Sequence, residues 1–275
     1  MKLTYVCTNY NNSDFTIGAV ESLMKCSGHE LRVFIVDNAS RKEDLAVLQG
    51  LVHKYSVVRL IQNKENVGYF AGLNIGISAA RHADSTADWF VIGNNDLEFG
   101  GEFCDRLEGM QAEYINYSVV SPDIVTLDGQ HQNPHVIEGI SPVREFFYDL
   151  YYSNYHLGLL INWLTRRFPR VARRCDVEQW KTSRPIYQGH GSCYVLTPKF
   201  FGQFSQLWSP TFMMSEEFFL SLQLKDVGEQ VFYSPAITVK HHWHGSLQSL
   251  PSRRRWKMAQ HAHRVYRKYV KTFSR

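Results

Sequence analysis

The sequence has few cysteines, and they follow no recognisable spacing. Its 275 residues include five cysteines, at positions 7, 26, 104, 175 and 193, with no C-x-x-C pair among them. An odd, scattered set argues against a disulfide framework and against a thiolate zinc site. It favours a reducing compartment, so the sequence predicts a cytoplasmic protein.

A leader and long apolar runs are also missing. The chain enters the apolar stretch 3–7 without the basic-then-apolar pattern of a secretory signal. The most apolar long stretch, residues 150–165, is interrupted by polar residues such as Asn154 and Asn162, so it does not resemble a membrane span. Any membrane contact is therefore predicted to be peripheral, at the inner face of the membrane.

Acidic residues are absent from the C-terminal 25 residues, which contain nine lysines or arginines. Removing these nine charges from the total of +4 leaves −5 for the rest of the chain. Such asymmetry predicts an appended basic amphipathic helix, residues 247–275, that meets something anionic. No nucleic-acid motif accompanies it, so no nucleic-acid partner is expected. An anionic membrane surface contacted through 251–275 and a tail helix packed on the domain remain equal alternatives.

The first hundred residues alternate between short apolar runs and amphipathic stretches. Apolar runs at 2–8, 31–36, 57–61 and 89–92 predict buried strands, with helices between them. Parallel neighbours need crossover helices, so the pattern predicts an α/β fold with a doubly wound, mostly parallel sheet. Ser40 and Glu43 form a capping-box pattern for a helix over about 41–54.

Polar residues follow three of these strands: Thr8 and Asn9, then Asp37 and Asn38, then Asn94 to Asp96. The carboxyl ends of parallel strands share one edge, where open α/β sheets bind ligands. Carboxylate and amide oxygens suit Mg²⁺ or Mn²⁺, which can bridge to phosphates. Each group taken alone is equally well explained as a turn or cap.

The glycine-rich stretch 66–76 has neither a P-loop Gly-Lys-Ser/Thr nor a G-x-G-x-x-G, so it does not predict an NTPase or dinucleotide site.

Residues 142–184, rich in aromatics and then in arginine, predict a helical insertion in a domain spanning 1–246. This insertion could cover an acceptor or touch a membrane, or pack on the domain or on a second copy. Further on, Glu216 and Glu217 start a predicted helix, where the helix dipole favours carboxylates.

In order along the chain, these motifs resemble family 2 glycosyltransferases with the GT-A fold, of the bacterial polysaccharide or O-antigen type. The matching residues are Thr8-Asn9-Tyr10-Asn11, Val36 to Ser40, Asn66 to Gly76, Gly93 to Asp96, Gly189-His190-Gly191, Phe212 to Gly228 and Val239-x-His241. The resemblance spans about residues 3–246. The ordered set is specific, whereas no single motif is.

The resemblance implies roles for individual residues. Donor binding would involve Thr8, Asn9, Tyr10, Asp37, Asn38, Asn66, Gly68, Asn74, Asn94 and Asn95, with Asp37 on the base or ribose. The acceptor side would be Gly189, His190 and Gly191. Asp96 and His241 would bind Mn²⁺ or Mg²⁺, with Asn94 replacing the first Asp of the family's D-x-D. Glu217 would be the catalytic base, or Glu216 if the match slips by one residue.

The resemblance thus implies an inverting hexosyl- or deoxyhexosyltransferase. Its donor would be a UDP-, dTDP- or GDP-sugar, and its acceptor a glycan, lipid-linked in capsule or O-antigen synthesis. Two alternatives keep the fold and change the function. One is a sugar-phosphate nucleotidyltransferase, although residues 8–14 lack the Gly-rich basic loop that it requires. The other is a non-catalytic sugar-nucleotide or glycan-binding module, consistent with Asn94.

Overall fold

A computed structural model describes residues 1–83, 89–168, 176–242 and 252–270. The strands are β1 (Lys2–Asn9), β2 (Glu30–Asp37), β3 (Val58–Gln62), β4 (Trp89–Gly93), β5 (Leu97–Phe99), β6 (Val119–Thr126), β7 (Arg184–Ile186), β8 (Cys193–Leu196) and β9 (Val231–His241). The helices are α1 (Ser13–Leu23), α2 (Lys42–Lys54), α3 (Tyr69–Ala83), α4 (Phe103–Gly109), α5 (Gln111–Tyr114), α6 (Pro142–Ser153), α7 (Tyr155–Arg167), α8 (Pro198–Gln203), α9 (Glu216–Lys225) and α10 (Ser252–Tyr266).

All of these strands join one sheet, in the order β3-β2-β1-β4-β8-β6-β9-β5, with β7 beside β9. The first four strands in this order are parallel neighbours, which confirms the predicted α/β, doubly wound arrangement. The other half is mixed, because β8 runs antiparallel to both β4 and β6. The three-residue strands β5 and β7 both pair antiparallel with β9, and the apolar runs did not predict them.

Helices cover both faces of the sheet. In β2, Val33 and Ile35 belong to a core with α1, α2 and α4. Phe34, between them, points to the opposite core with α3, α8 and α9. Successive side chains of a strand alternate between faces, and both faces are buried here. This explains why β2 reads as a continuous apolar run rather than an alternating one.

The predicted capping box at Ser40 is wrong. Helix α2 begins at Lys42, with Arg41 as its N-cap and no side-chain cap. The Ser40 hydroxyl instead accepts hydrogen bonds from the Asn9 side chain, at 3.0 Å, and from the Asn11 backbone N–H, at 2.9 Å. A tertiary contact to the loop after β1 thus replaces the local cap.

Helices α6 and α7 occupy the first part of the predicted insertion 142–184. Ser141 caps α6, which has Pro142 in its first turn, and Asn154 caps α7 by accepting from His156 N–H at 2.8 Å. Three of the insertion's arginines, at 170, 173 and 174, lie outside the described residues. Across the four described ranges, no helix combines the length and apolarity needed to cross a bilayer.

Helix α10 contains most of the predicted basic segment; residues 247–251 and 271–275 lie outside the described ranges. One face packs on the domain. The Tyr266 ring lies 4.2 Å from that of Phe218 on α9, and Arg267, just beyond α10, reaches Asp149 on α6 at 2.9 Å. The opposite face is exposed and carries Arg254, Lys257 and Arg264; together with exposed Lys268, just past the helix, we call these residues the basic face.

Candidate active site

A cleft of about 250 Å³ opens where β1, β2 and β4 end. The predicted site residues that line it are Thr8, Tyr10, Asn38, Asn66, Gly68, Asn94, Asn95, Asp96, His190, Gly191, Glu216 and Glu217. The cleft therefore brings together the strand-end loops of the first half of the chain and the start of α9. The two carboxylates singled out from the sequence, Asp96 and Glu217, face the same space.

Pairing of β5 with β9 brings Asp96 next to His241. Leu97 is in register with His241, and the Asp96 carbonyl accepts a hydrogen bond from His242 N–H at 2.9 Å. Asp96 is only 2% exposed, and its Oδ1 lies 3.2 Å from His241 Nε2. His241 thus stands behind Asp96, outside the residues that line the cleft.

Two amide side chains orient the His241 ring. Nδ1 lies 2.7 Å from Gln132 Oε1. Nε2 lies 3.3 Å from Asn94 Nδ2 and 3.2 Å from Asp96 Oδ1. Gln132 therefore holds the ring with Nε2 directed toward Asn94 and Asp96, the orientation in which this nitrogen could bind a cation beside them.

This group of side chains fits a divalent cation. It combines the Asp96 carboxylate, the Asn94 amide and the His241 imidazole, with Gln132 fixing the imidazole from behind. Within the described ranges, no three His, Cys, Asp or Glu side chains form a closed metal cluster. A cation here would therefore take its remaining ligands from water or from a bound diphosphate, as Mg²⁺ commonly does.

Replacing Gln132 with leucine tests this orientation of His241. The ring would lose its Nδ1 acceptor, and loss of such a partner typically lowers metal affinity by about 10–100-fold. We expect the apparent Kd for Mn²⁺ to rise by that order, measured by isothermal titration with nucleoside diphosphate present. Mn²⁺ affinity equal to that of the unmodified chain would show that His241 does not act on a cation.

Glu217 reaches the cleft from the first turn of α9. The two residues before α9, Met214 and Ser215, adopt left-handed backbone angles, with φ of 79° and 67°. These angles turn the chain sharply into the helix. Glu217 Oε1 accepts a hydrogen bond from Gly191 N–H at 3.1 Å. A Cβ atom at position 191 would lie 2.8 Å from that oxygen, so only glycine allows this approach.

Glu216 differs from Glu217 in its surroundings. It is 8% exposed and accepts a hydrogen bond from Met214 N–H at 2.8 Å. Burial, and next the negative charge of Glu217, raise the pKa of Glu216 to about 8. Glu216 is therefore mostly protonated at neutral pH and a poor proton acceptor. Glu217, which is held at the cleft by Gly191 N–H, is therefore the better candidate base.

The raised pKa of Glu216 makes stability depend on pH. Between the ordinary value of 4.5 and about 8, the folded chain keeps a proton that the unfolded chain releases. Stability from this group is complete below pH 4.5 and declines as pH rises to about 8. We expect Glu216→Gln to become more stable relative to the parent as pH increases from 5 to 9, measured by calorimetric Tm. A Tm difference independent of pH would contradict this.

The donor side of the cleft contains backbone groups held by amide side chains. Asn38 donates to the Gly68 carbonyl at 3.0 Å, and the Asn66 side chain accepts from Gly68 N–H at 3.0 Å. Gly68 has a φ of +93°, and a Cβ there would lie 2.0 Å from the carbonyl oxygen of Phe212. The glycine thus allows the loop after β3 to touch the loop before α9.

Besides His241, four predicted site residues do not line the cleft. Asn9 is fully buried and donates to Asp37 at 3.0 Å and to Asp44 at 2.8 Å. Asp37 also accepts from Ser40 N–H, so both side chains join the loops beneath the cleft. Asn74 exchanges two hydrogen bonds of 2.8 Å with the backbone of Leu207. Gly189 packs against Ser121, and its carbonyl oxygen accepts a hydrogen bond from the Tyr194 hydroxyl.

Other lining residues were not found from the sequence: Asn12, Tyr69, Ser192, Met213 and Met214. The Tyr69 hydroxyl donates to the Gly191 carbonyl at 2.8 Å, which holds the loop that positions Glu217. Tyr69 lies within the Asn66 to Gly76 motif, so the sequence could have indicated it as a site residue. No sequence pattern indicated Gln132, because it lies in an irregular loop after β6.

Two curated proteins are similar in sequence. The N-acetylglucosaminyl-diphospho-decaprenol L-rhamnosyltransferase of Mycobacterium tuberculosis is 24% identical over 251 residues, covering 87% of this chain and 76% of its own. The succinoglycan biosynthesis protein ExoO of Rhizobium meliloti is 29% identical over 129 residues, covering 46% of this chain and 35% of its own.

Solved structures share the fold. The mannosyltransferase PcManGT of Pyrobaculum calidifontis, with GDP-Man and Mn²⁺, has a TM-score of 0.58 at 15% identity, over 98% of this chain and 65% of its own. S. aureus TarS 1–349 with UDP-GlcNAc has a TM-score of 0.56 at 10% identity, over 91% of this chain and 62% of its own. These similarities confirm the predicted GT-A fold.

The family profile described as "Glycosyl transferase family 2" matches residues 4–168, more than half of the chain. The match includes all three strand-end loops and Asp96. The chain therefore belongs to glycosyl transferase family 2 and is a glycosyltransferase, rather than a nucleotidyltransferase or a non-catalytic binding module.

Proposed function

We propose that this glycosyltransferase moves a sugar from a nucleotide donor to a glycan hydroxyl, with inversion at the anomeric carbon. The observation that carries the proposal is the common cleft of Asp96 and Glu217. One carboxylate lies at the end of the parallel sheet, where nucleotides bind in such folds. The other enters the same space from α9.

Glu217 is the general base in this proposal. Its Oε1 accepts a hydrogen bond from Gly191 N–H, which holds the carboxylate at the cleft, where it would take the proton of an acceptor hydroxyl. General base catalysis of this kind contributes about 10²–10⁴ in rate. Protonated Glu216 keeps a second negative charge away from the donor diphosphate. One base and one cation would support a single displacement, and hence inversion.

The leaving nucleoside diphosphate gains negative charge that the cleft must offset. Neither lysine nor arginine occurs among the described residues that line the cleft. Asp96, Asn94 and His241 would hold Mn²⁺ or Mg²⁺, which acts as a Lewis acid on phosphoryl oxygens when bound. Asp96 and Asn94 line the cleft, and His241 lies behind them, 3.2 Å from Asp96 Oδ1.

Substrate classes follow from the relatives. A UDP-, dTDP- or GDP-sugar is the proposed donor, since similar proteins are described with UDP-GlcNAc and GDP-Man. A lipid-linked glycan is the proposed acceptor, since a relative of comparable length acts on a decaprenyl-diphosphate-linked sugar. Surface polysaccharide such as capsule or O-antigen is the proposed product class, in keeping with the succinoglycan relative.

A donor panel tests the proposed function. The intact chain is incubated with UDP-, GDP- and dTDP-sugars with Mn²⁺ or Mg²⁺, and Tm shifts and release of nucleoside diphosphate are recorded. We expect one nucleotide class to raise Tm and to be slowly hydrolysed in a metal-dependent way. If every donor neither stabilises the chain nor is hydrolysed, the proposed reaction is wrong.

We further propose peripheral binding to an anionic membrane through the basic face of α10. Replacing Arg254, Lys257, Arg264 and Lys268 with glutamine should reduce co-sedimentation with anionic vesicles, because each cation near such a surface contributes about 1 kcal/mol. Substitution is preferable to deleting the helix, since Tyr266 packs on Phe218 beside Glu217. Neutral vesicles are the control, and undiminished binding of the variant to anionic vesicles would contradict the proposal.

A further inference from the structure

A second cavity, of about 410 Å³, lies between α7 and α10. Its walls are mainly aromatic and apolar, and two arginines, Arg166 and Arg255, stand among them. The other lining residues are Tyr151, Tyr155, Leu159, Asn162, Trp163, Met214, Ser252, Trp256 and Ala259. This combination suits a ligand that is anionic at one end and apolar along the rest of its length.

The second cavity adjoins the catalytic cleft. Met214 lines both spaces, so the loop before α9 is a shared wall. The conformation of that loop is fixed, because Met214 N–H donates to Glu216 at 2.8 Å and the Phe212 carbonyl accepts from Tyr69 N–H at 3.0 Å. A molecule that occupied the second cavity could therefore extend a sugar toward Glu217.

The two arginines are available to an anion. Within the described ranges, Arg166 and Arg255 form no ion pair, whereas Arg267, just past the same helix, is paired with Asp149. A guanidinium binds phosphate oxygens through paired hydrogen bonds. The arginines lie on facing helices, so a phosphate group between them would meet one from each side.

Apolar surface continues outward from the second cavity. On α7 and just after it, Leu159, Leu160, Trp163, Leu164 and Phe168 are exposed at helical spacing, with Trp163 61% and Phe168 56% accessible. Val143, Phe146 and Phe147 are exposed on α6, the helix that precedes α7. Exposed apolar residues clustered in this way mark an interaction site. A free oligosaccharide would not need it, whereas a prenyl chain or a bilayer would.

We propose that the second cavity binds the diphosphate and the first isoprenoid units of a lipid-linked acceptor. Arg166 and Arg255 hold the diphosphate, and Trp163, Leu159 and Trp256 line the path of the prenyl chain. The chain then leaves over the exposed face of α7. This assignment rests on the proposed acceptor class and adds the place where that acceptor is recognised.

Farnesyl diphosphate is a suitable probe, because it has the diphosphate and a short prenyl chain without a sugar. Its Kd for the intact chain is measured by calorimetry with Mn²⁺ and a mixture of UDP, GDP and dTDP, which occupy the donor cleft. Inorganic pyrophosphate and farnesol serve as the separate head and tail. We expect farnesyl diphosphate to bind more tightly than either of them.

Two variants separate the parts of the cavity. Arg166→Gln with Arg255→Gln should weaken farnesyl diphosphate at least about tenfold, because hydrogen bonds to charged groups are lost. Trp163→Ala should weaken farnesyl diphosphate and leave pyrophosphate unchanged. Arg167→Gln, which changes an exposed arginine on α7 that does not line the cavity, is the matched control and should leave the Kd unchanged.

Several results would overturn this assignment. One is that farnesyl diphosphate does not bind. Another is that its Kd stays the same in the Arg166→Gln, Arg255→Gln variant. A third is that the nucleotide mixture displaces farnesyl diphosphate. Binding of a free oligosaccharide that is lost in Trp163→Ala, without prenyl binding, would make the cavity a glycan site instead. Donor hydrolysis by the unmodified chain is scored separately, so its failure concerns the proposed reaction and not this cavity.

Discussion

Replacing Glu217 with glutamine is expected to lower the rate of sugar transfer by about 10²–10⁴-fold, the usual contribution of a general base. The amide keeps the size of the carboxylate and can still accept the hydrogen bond from Gly191 N–H, at 3.1 Å in the parent. It cannot take up a proton. Donor affinity should therefore stay nearly unchanged, and the loss should appear in kcat rather than in the Kd of the nucleotide.

The measurement is steady-state transfer together with calorimetric donor binding. Asp226→Asn, an exposed carboxyl at the opposite end of the same helix, is the matched control and should transfer normally. Gly191→Ala offers a second approach, because its Cβ would lie 2.8 Å from Glu217 Oε1 and displace the carboxylate. Near-normal turnover of Glu217→Gln would remove Glu217 from the mechanism.

Replacing Asp96 with alanine is expected to reduce transfer by about 10²–10³-fold, the usual effect of losing one preorganised electrostatic group. Unlike the change at Glu217, it should also weaken donor binding and Mn²⁺ binding together. Asp96 is 2% exposed and lies 3.2 Å from His241. Its removal therefore leaves the imidazole without the carboxylate beside it.

Mn²⁺ affinity is measured by titration with and without nucleotide, and folding is checked by Tm. Glu98→Gln is the control, since Glu98 pairs with Lys240 at 3.0 Å and His242 at 3.1 Å and does not line the cleft. Asn94→Asp should act in the opposite direction and tighten Mn²⁺ binding. Unchanged metal and donor affinity in Asp96→Ala would exclude Asp96 as the cation ligand.

The sequence was sufficient to predict the parallel half of the sheet, because β1, β2 and β4 are buried on both faces and read as unbroken apolar runs. The meeting of Asn38 and Asn94 at one edge follows from that arrangement. Bringing Glu217 to the same edge required the family resemblance, since a glutamate at a helix start is common for stability alone.

Tertiary contacts account for what the sequence did not predict. Asn9 and Asp37 lie at strand ends as expected, yet the Asn9 side chain donates to the carboxylates of Asp37 and Asp44. No periodicity distinguishes such a buried network from a ligand-binding set. Gln132 meets His241 across 109 residues of sequence, and the strands β5 and β7 are too short to form a pattern.

Gly68 has a consequence for the width of the cleft. A Cβ atom there would lie 2.0 Å from the Phe212 carbonyl oxygen, and the segment that begins at Phe212 leads directly to Glu217. A single methyl group at position 68 would push the loop after β3 away from that segment. The separation of two walls of the cleft therefore depends on the absence of one carbon atom at a single residue.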